Sequence, residues 1–289
     1  MKTQSPQGVR DAGTAKNICG DEANHESYHV RTHRARWPRD DALSDEASNY
    51  RKVIFDSYLS AFGNSSIEVL RHQLAVRAHH CGRAIRNFFP ADRDARILDL
   101  GCGYGALEYY AAQAGYANIR GVDRSVEQLD ASRRLGIANI AQDDCFEMLA
   151  KEQPGSLDAI VSFDLIEHLP KEQVCDLAAA IAKALAPGGR WILHCPNAES
   201  PMGGRVRYGD FTHELAFTRL SLAQLLTSFR FSRVECFEDG PVVHGMTSAV
   251  RLVVWRIIRA ALHVWLVAET GQTDGTPIFT QNLFCVAYK

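Results

Sequence analysis

No two of the eight cysteines, at 19, 81, 102, 145, 175, 195, 236 and 285, form a C-x-x-C pair. That argues against a zinc ribbon or a dithiol redox centre. Several lie inside apolar runs, as Cys195 and Cys285 do, which suits reduced thiols in a cytoplasmic protein. The first residues, MKTQSPQGVRDAGTAKNICGDEANHES, lack the apolar core of a signal peptide. There is no excess of basic residues either: 32 Lys and Arg face 34 Asp and Glu, with a net charge of -2. Nothing here advertises a nucleic-acid partner. Internal repeats are also missing.

What is present is ordinary globular composition, 46% hydrophobic and 23% charged over 289 residues, enough for one large α/β domain with extensions. Residues 1–45 are polar and aperiodic and read as a poorly ordered tail. Residues 46–92 show apolar spacing of helical type, broken at Gly63-Asn64-Ser65-Ser66, so two helices are expected there, covering the active site. From 93 to the C-terminus the pattern becomes strand–helix alternation. Strands are expected at Arg96–Leu100, Ala117–Val122, Ile137–Ala141, Leu157–Phe163, Arg190–Cys195, Arg233–Phe237 and Ile278–Tyr288. Strands separated by helices predict a Rossmann-like, seven-stranded, mostly parallel sheet with helices on both faces. A helical insertion over 245–270 precedes the last strand.

The first strand runs into Gly101-Cys102-Gly103-Tyr104-Gly105. Glycines there let a ligand approach the backbone, and the next helix offers free N–H groups. Dinucleotide folds place glycines similarly, but their spacing is G-x-G-x-x-G and this one is G-x-G-x-G. Asp99 precedes the turn, and Asp123 ends the second strand, where a carboxylate accepts from both ribose hydroxyls. Asp144, followed by Cys145, comes after the third strand, where an acceptor can hold an adenine amino group. The ordered run ILDLGCGYG, GVD, QDDC, FDLIEHLP and PGGRWIL closely resembles the class I methyltransferase family between Arg96 and Leu193. The resemblance implies S-adenosylmethionine as cofactor, with contacts at Asp99, Gly101, Gly103, Asp123, Asp144 and Cys145. It leaves little room for a nicotinamide oxidoreductase.

For the acceptor, two segments stand out: Asp164-Leu-Ile-Glu167-His168 after the fourth strand, and Arg205 to Glu214, containing His213, after the fifth. In a helical turn, 164, 167 and 168 would share a face. Together they resemble ubiquinone-pathway O-methyltransferases and small-RNA 2′-O-methyltransferases, whose E-x-x-E-H and later His bind a divalent metal. The resemblance implies metal ligation by Asp164, Glu167, His168 and His213, with Asp164 one methylene shorter than the family's Glu. A metal-free pocket is the other reading, with Glu167, His168 and His213 as catalytic side chains. His194 and His244 are expected to be structural.

The remaining motifs are similar to methyltransferases of surface-polysaccharide and glycolipid assembly. The first expectation is therefore O-methylation of a sugar hydroxyl, on a glycan or on a nucleotide- or lipid-linked saccharide. A small aromatic or polyketide acceptor ranks second and an RNA ribose third. A protein that merely binds the cofactor is disfavoured by the ionisable cluster. The apolar segment 247–269 carries Arg251, Arg256, Arg259 and His263 within one arc of about 140°. It is expected to pack on its own sheet or on a second subunit of a homo-oligomer. Peripheral contact with the inner face of the membrane is the minority reading.

Overall fold

The computed structural model describes residues 54–55, 66–271, 273 and 277–289. The expected tail over 1–45 lies outside them. So does most of the first expected helix, of which Ile54 and Phe55 are helical.

Helix α1 (Ile67–Phe88) starts where Ser66 accepts a hydrogen bond from the Val69 amide, so Ser66 is the N-cap that the GNSS break suggested. There follow β1 (Ile97–Leu100), α2 (Ala106–Gln113), β2 (Ile119–Asp123), α3 (Val126–Leu135), β3 (Ile140–Gln142) and α4 (Cys145–Lys151). After β4 (Leu157–Phe163) comes a single 3₁₀ turn (Ile166–His168), then α5 (Lys171–Ala184) and β5 (Leu185–Pro196). The chain closes with α6 (Gly203–Arg207), α7 (Arg219–Ser228), β6 (Arg233–Glu238), α8 (Met246–Thr270) and β7 (Asn282–Tyr288). The short helices α4 and α6 were missed by the sequence pattern, each being under two turns and lacking an apolar period.

The seven strands lie in the order β3-β2-β1-β4-β5-β7-β6. The pairs β2–β3, β1–β2, β1–β4 and β4–β5 are parallel, whereas β7 is antiparallel to both β5 and β6. This is the expected seven-stranded, mostly parallel sheet, with its helices. All four residues of β1 are buried, as a central strand covered on both faces requires. One core cluster gathers around Ile160, Trp191 and Leu177, where the Trp191 indole N–H donates to Ser162 Oγ at 2.8 Å. A second, around Ile97, Phe284 and Leu70, joins α1 to the other face. Since order reverses between β1 and β4, a crevice opens outside their carboxyl ends. That crevice is where the glycine turn sits.

The seven described cysteines are all free. No helix among the described residues is long and apolar enough to cross a membrane. Helix α8 does not bury itself on the sheet as expected: Ser248 is its one buried residue.

Candidate active site

A cavity of about 770 Å³ occupies the crevice. That lies toward the upper end for a small-molecule site. Its cofactor half is built by backbone. Gly101, Gly103 and Gly105 all adopt positive φ, at 73°, 58° and 86°. A Cβ at Gly105 would run into the Ile140 side chain and come within 2.9 Å of Ile137, so the turn is sterically closed to other residues. Asp123 is clamped: one carboxylate oxygen accepts from the Gly103 amide at 2.9 Å, the other from the Ser125 amide at 2.8 Å. Both oxygens retain lone pairs for hydroxyls entering the cavity.

Gly101, Gly103, Asp123, Asp144 and Cys145 all line the cavity. Asp144 is also the N-cap of α4, accepting from the Phe146 amide at 2.8 Å. The Cys145 thiol is buried, which pushes its pKa up to about 12 and leaves it inert.

Asp99 departs from expectation. It is buried (3% exposed) and is not among the lining residues. Burial and the neighbouring Glu108 carboxyl hold its pKa well above the usual range. Burial likewise raises Glu108, to about 7, so the two form a proton-holding pair behind the turn rather than an open contact. Glu108 could not be singled out in advance, because its partner is nine residues away around a glycine turn.

The acceptor half is built by side chains from distant segments. The 3₁₀ turn and the loop after β5 are tied together: the Glu214 and Leu215 amides donate to the Glu167 carbonyl at 2.7 and 3.0 Å. Ligand atoms of Glu167, His168 and His213 thereby come within 4.8 Å of one another. Hydrogen bonding fixes which nitrogen of each ring is available. The Thr212 hydroxyl donates to Asp210 at 2.6 Å, so at 2.8 Å it must accept from His168 Nδ1–H. His213 Nδ1 donates to the Val206 carbonyl at 3.0 Å. In the neutral tautomers that these bonds select, each Nε2 carries the lone pair. Burial, then the nearby His213, pulls the His168 pKa down to about 4, which keeps that ring neutral. Glu167 is 1% exposed, and its Oε2 has no hydrogen-bond partner among the described residues. Burial and then the Asp164 charge push its pKa well up, and a cation in contact would reverse that. Two imidazole lone pairs and an unpartnered carboxyl oxygen are a donor set that fits a divalent ion.

Asp164 is not part of the trio. Its φ of 52° breaks the helical turn before it forms, so 164 does not share a face with 167 and 168. Its carboxylate instead meets His194 Nδ1 at 2.6 Å while still lining the cavity. Burial alone would raise its pKa; the His194 contact outweighs this and holds it at about 2. His194 is the buried, satisfied histidine that was expected, 3% exposed, and its Nδ1 partner is an acid of the cavity. Its other nitrogen reaches Asp239 at 3.2 Å, and Asp239 also pairs with Arg83. His244 stays structural, stacked on His79 at 4.1 Å between ring centroids. Phe55, Arg77, Gln128 and Gln173 also line the cavity, and no motif had marked them. Phe55 meets the His168 ring edge-on at 5.4 Å.

Residues 70–235 match the model of a methyltransferase domain family. Among curated proteins, a ubiquinone biosynthesis O-methyltransferase of Idiomarina loihiensis is 32% identical over 135 residues, 41% of this chain and 54% of that protein. One from Xanthomonas oryzae pv. oryzae is 36% identical over 107 residues, 36% of this chain and 44% of that one. The chain thus spans about half the length of the curated relatives it matches. Among solved structures, an S-adenosylmethionine-dependent methyltransferase from Archaeoglobus fulgidus superposes with a TM-score of 0.56 at 20% identity, covering 75% of this chain and 94% of that one. Haemonchus contortus phosphoethanolamine N-methyltransferase 2, solved with S-adenosylhomocysteine, gives 0.51 at 19% identity, covering 73% of this chain and 52% of that one. At such identities these two establish the fold alone.

Proposed function

The chain belongs to the methyltransferase domain family, with S-adenosylmethionine as cofactor, and from that premise we propose that it methylates a hydroxyl oxygen held by Glu167, His168 and His213. One observation carries the reading: three lone-pair donors converge in the same cavity as the clamped Asp123 carboxylate. In-line transfer from a sulfonium needs the acceptor oxygen positioned opposite the leaving sulfur and a group to take its proton. His213, half-buried in the cavity lining, is the base, its Nε2 being the accepting nitrogen in the tautomer that the Val206 bond selects. His168 stays neutral and orients the acceptor hydroxyl. Glu167, its carboxyl kept neutral by burial, offers the unpartnered Oε2 for a hydrogen bond beside them.

The same three residues, without Asp164, would hold a divalent ion. Bound there, it would act as a Lewis acid that lowers the pKa of the acceptor hydroxyl. His213 would then serve as ligand rather than base.

The acceptor class shifts from that expected on sequence. The relatives are named for ubiquinone biosynthesis, which favours a small aromatic hydroxyl over the sugar hydroxyl. Phe55, Phe163 and Leu169 in the cavity lining suit an aromatic ring. The test is transfer of labelled methyl from S-adenosylmethionine to catechols, saccharides and RNA in parallel, before and after chelation with Mg²⁺ or Mn²⁺ add-back. Labelling of catechols supports the reading. Labelling of saccharides alone would restore the sugar acceptor, and full activity after chelation would remove the ion.

A further inference from the structure

Helix α8 leaves a long apolar face in solvent. Met246, Val250, Val253, Val254, Ile257, Ile258, Val264 and Trp265 are 46 to 86% exposed. At 100° per residue they fall in one arc of about 140°. The opposite side is held by the body of the protein: Arg259 Nε donates to Glu238 at 2.8 Å, and the His244 amide donates to Ser248 Oγ at 2.8 Å. The basic arc seen in the sequence is therefore not the outer face. Its middle, at Arg259, is spent on the body. Its two ends, Arg251 and Arg256, are exposed and flank the apolar face on either side.

We propose that this face docks on an anionic lipid bilayer, with the helix axis in the plane of the interface. An apolar stripe edged by arginines, with a tryptophan on it, matches that environment: acyl chains below, phosphates at the margins. The charge is one-signed, since no acid occurs in α8 before Glu269. A second copy of the helix would meet that stripe with arginines of its own. Position argues the same way. β6 and β5 both run antiparallel to β7, so the chain leaves their carboxyl ends at the same end of the sheet. The loop after β5 exposes Tyr208 and Phe211 there, while its Gly209 and Asp210 line the cavity. Docking through α8 thus brings the acceptor side of the crevice to the lipid surface.

The test is flotation of the full-length protein with phosphatidylcholine vesicles, with and without phosphatidylglycerol. Binding to the anionic vesicles, weakened by salt, is expected. Ile257→Glu combined with Trp265→Glu should cut the bound fraction by at least about tenfold. Both side chains are exposed, so the unfolding midpoint should match wild type, which separates lost docking from lost fold. Arg251→Glu with Arg256→Glu should abolish the preference for anionic lipid. A wild type that floats with neither vesicle overturns the proposal. So does a dimer, seen by light scattering, that Ile257→Glu dissociates. Equal binding to both vesicles overturns its electrostatic part. None of these readouts depends on methyl transfer, so they stand whether or not the acceptor reading does.

Discussion

Two carboxylates in one cavity are held in opposite ways. Asp123 is fixed by amides 20 and 2 residues away, all part of the strand–turn–helix unit around β1 and β2. Asp164 is fixed by His194, and His194 in turn by Asp239, partners 30 and 45 residues apart in the chain. The first arrangement uses backbone and needs only glycines and a strand end. The second uses side chains that three strands bring together. A crevice assembled this way separates its tasks: the cofactor half is written locally, and the acceptor half exists only once the sheet has formed.

The sharpest way to break that division is to cross its two effects. His213→Ala should lower kcat by about 10²- to 10⁴-fold, the usual scale for a lost acid–base group, with cofactor affinity unchanged. Asp123→Ala should weaken S-adenosylmethionine binding by about a hundredfold, from two charge-assisted hydrogen bonds, measured by titration calorimetry. A variant that moved both quantities together would erase the separation.

A smaller effect is expected at the turn. Gly105→Ala places a Cβ against Ile140 at a φ of 86°, which should cost about 2 kcal/mol in denaturant unfolding. An unchanged midpoint would mean that the turn is less constrained than its contacts imply.

The smallest effect concerns pH. Burial lowers His80 from 6.5 to about 4. The unfolded chain therefore binds the extra proton first, and stability is lost as pH falls from about 6.5 toward 4. With its partial exposure this amounts to about 1–2 kcal/mol. His80→Gln should flatten that part of the curve of unfolding free energy against pH; an unaltered slope would place the titration elsewhere.

The same contrast explains what could be read from the chain beforehand. The glycine turn, Asp123 and Asp144 lie in one stretch with fixed spacing, and the structure lines the cavity with them. The pairing of Glu167-His168 with His213 was also legible, because the first lies just past β4 and the second in the connection after β5. The error at Asp164 has a local cause: a left-handed residue interrupts the turn that would have put it beside Glu167. His194 is the inward-pointing, satisfied histidine that strand alternation suggested, though alternation could not name the two acids it meets. Asp99 lies deeper than expected, and its neighbour Glu108 arrives from the next helix. The outer face of α8 could not be read beforehand, because a helical wheel shows an arc without saying which side the body occupies.

The central claim is that one crevice brings the sulfonium to Glu167, His168 and His213. A crystal structure with S-adenosylhomocysteine tests it directly. The ribose hydroxyls should sit on Asp123, with the sulfur facing the two Nε2 atoms across a gap sized for a hydroxyl. A nucleoside lying elsewhere, or a sulfur turned away from His168 and His213, would contradict it.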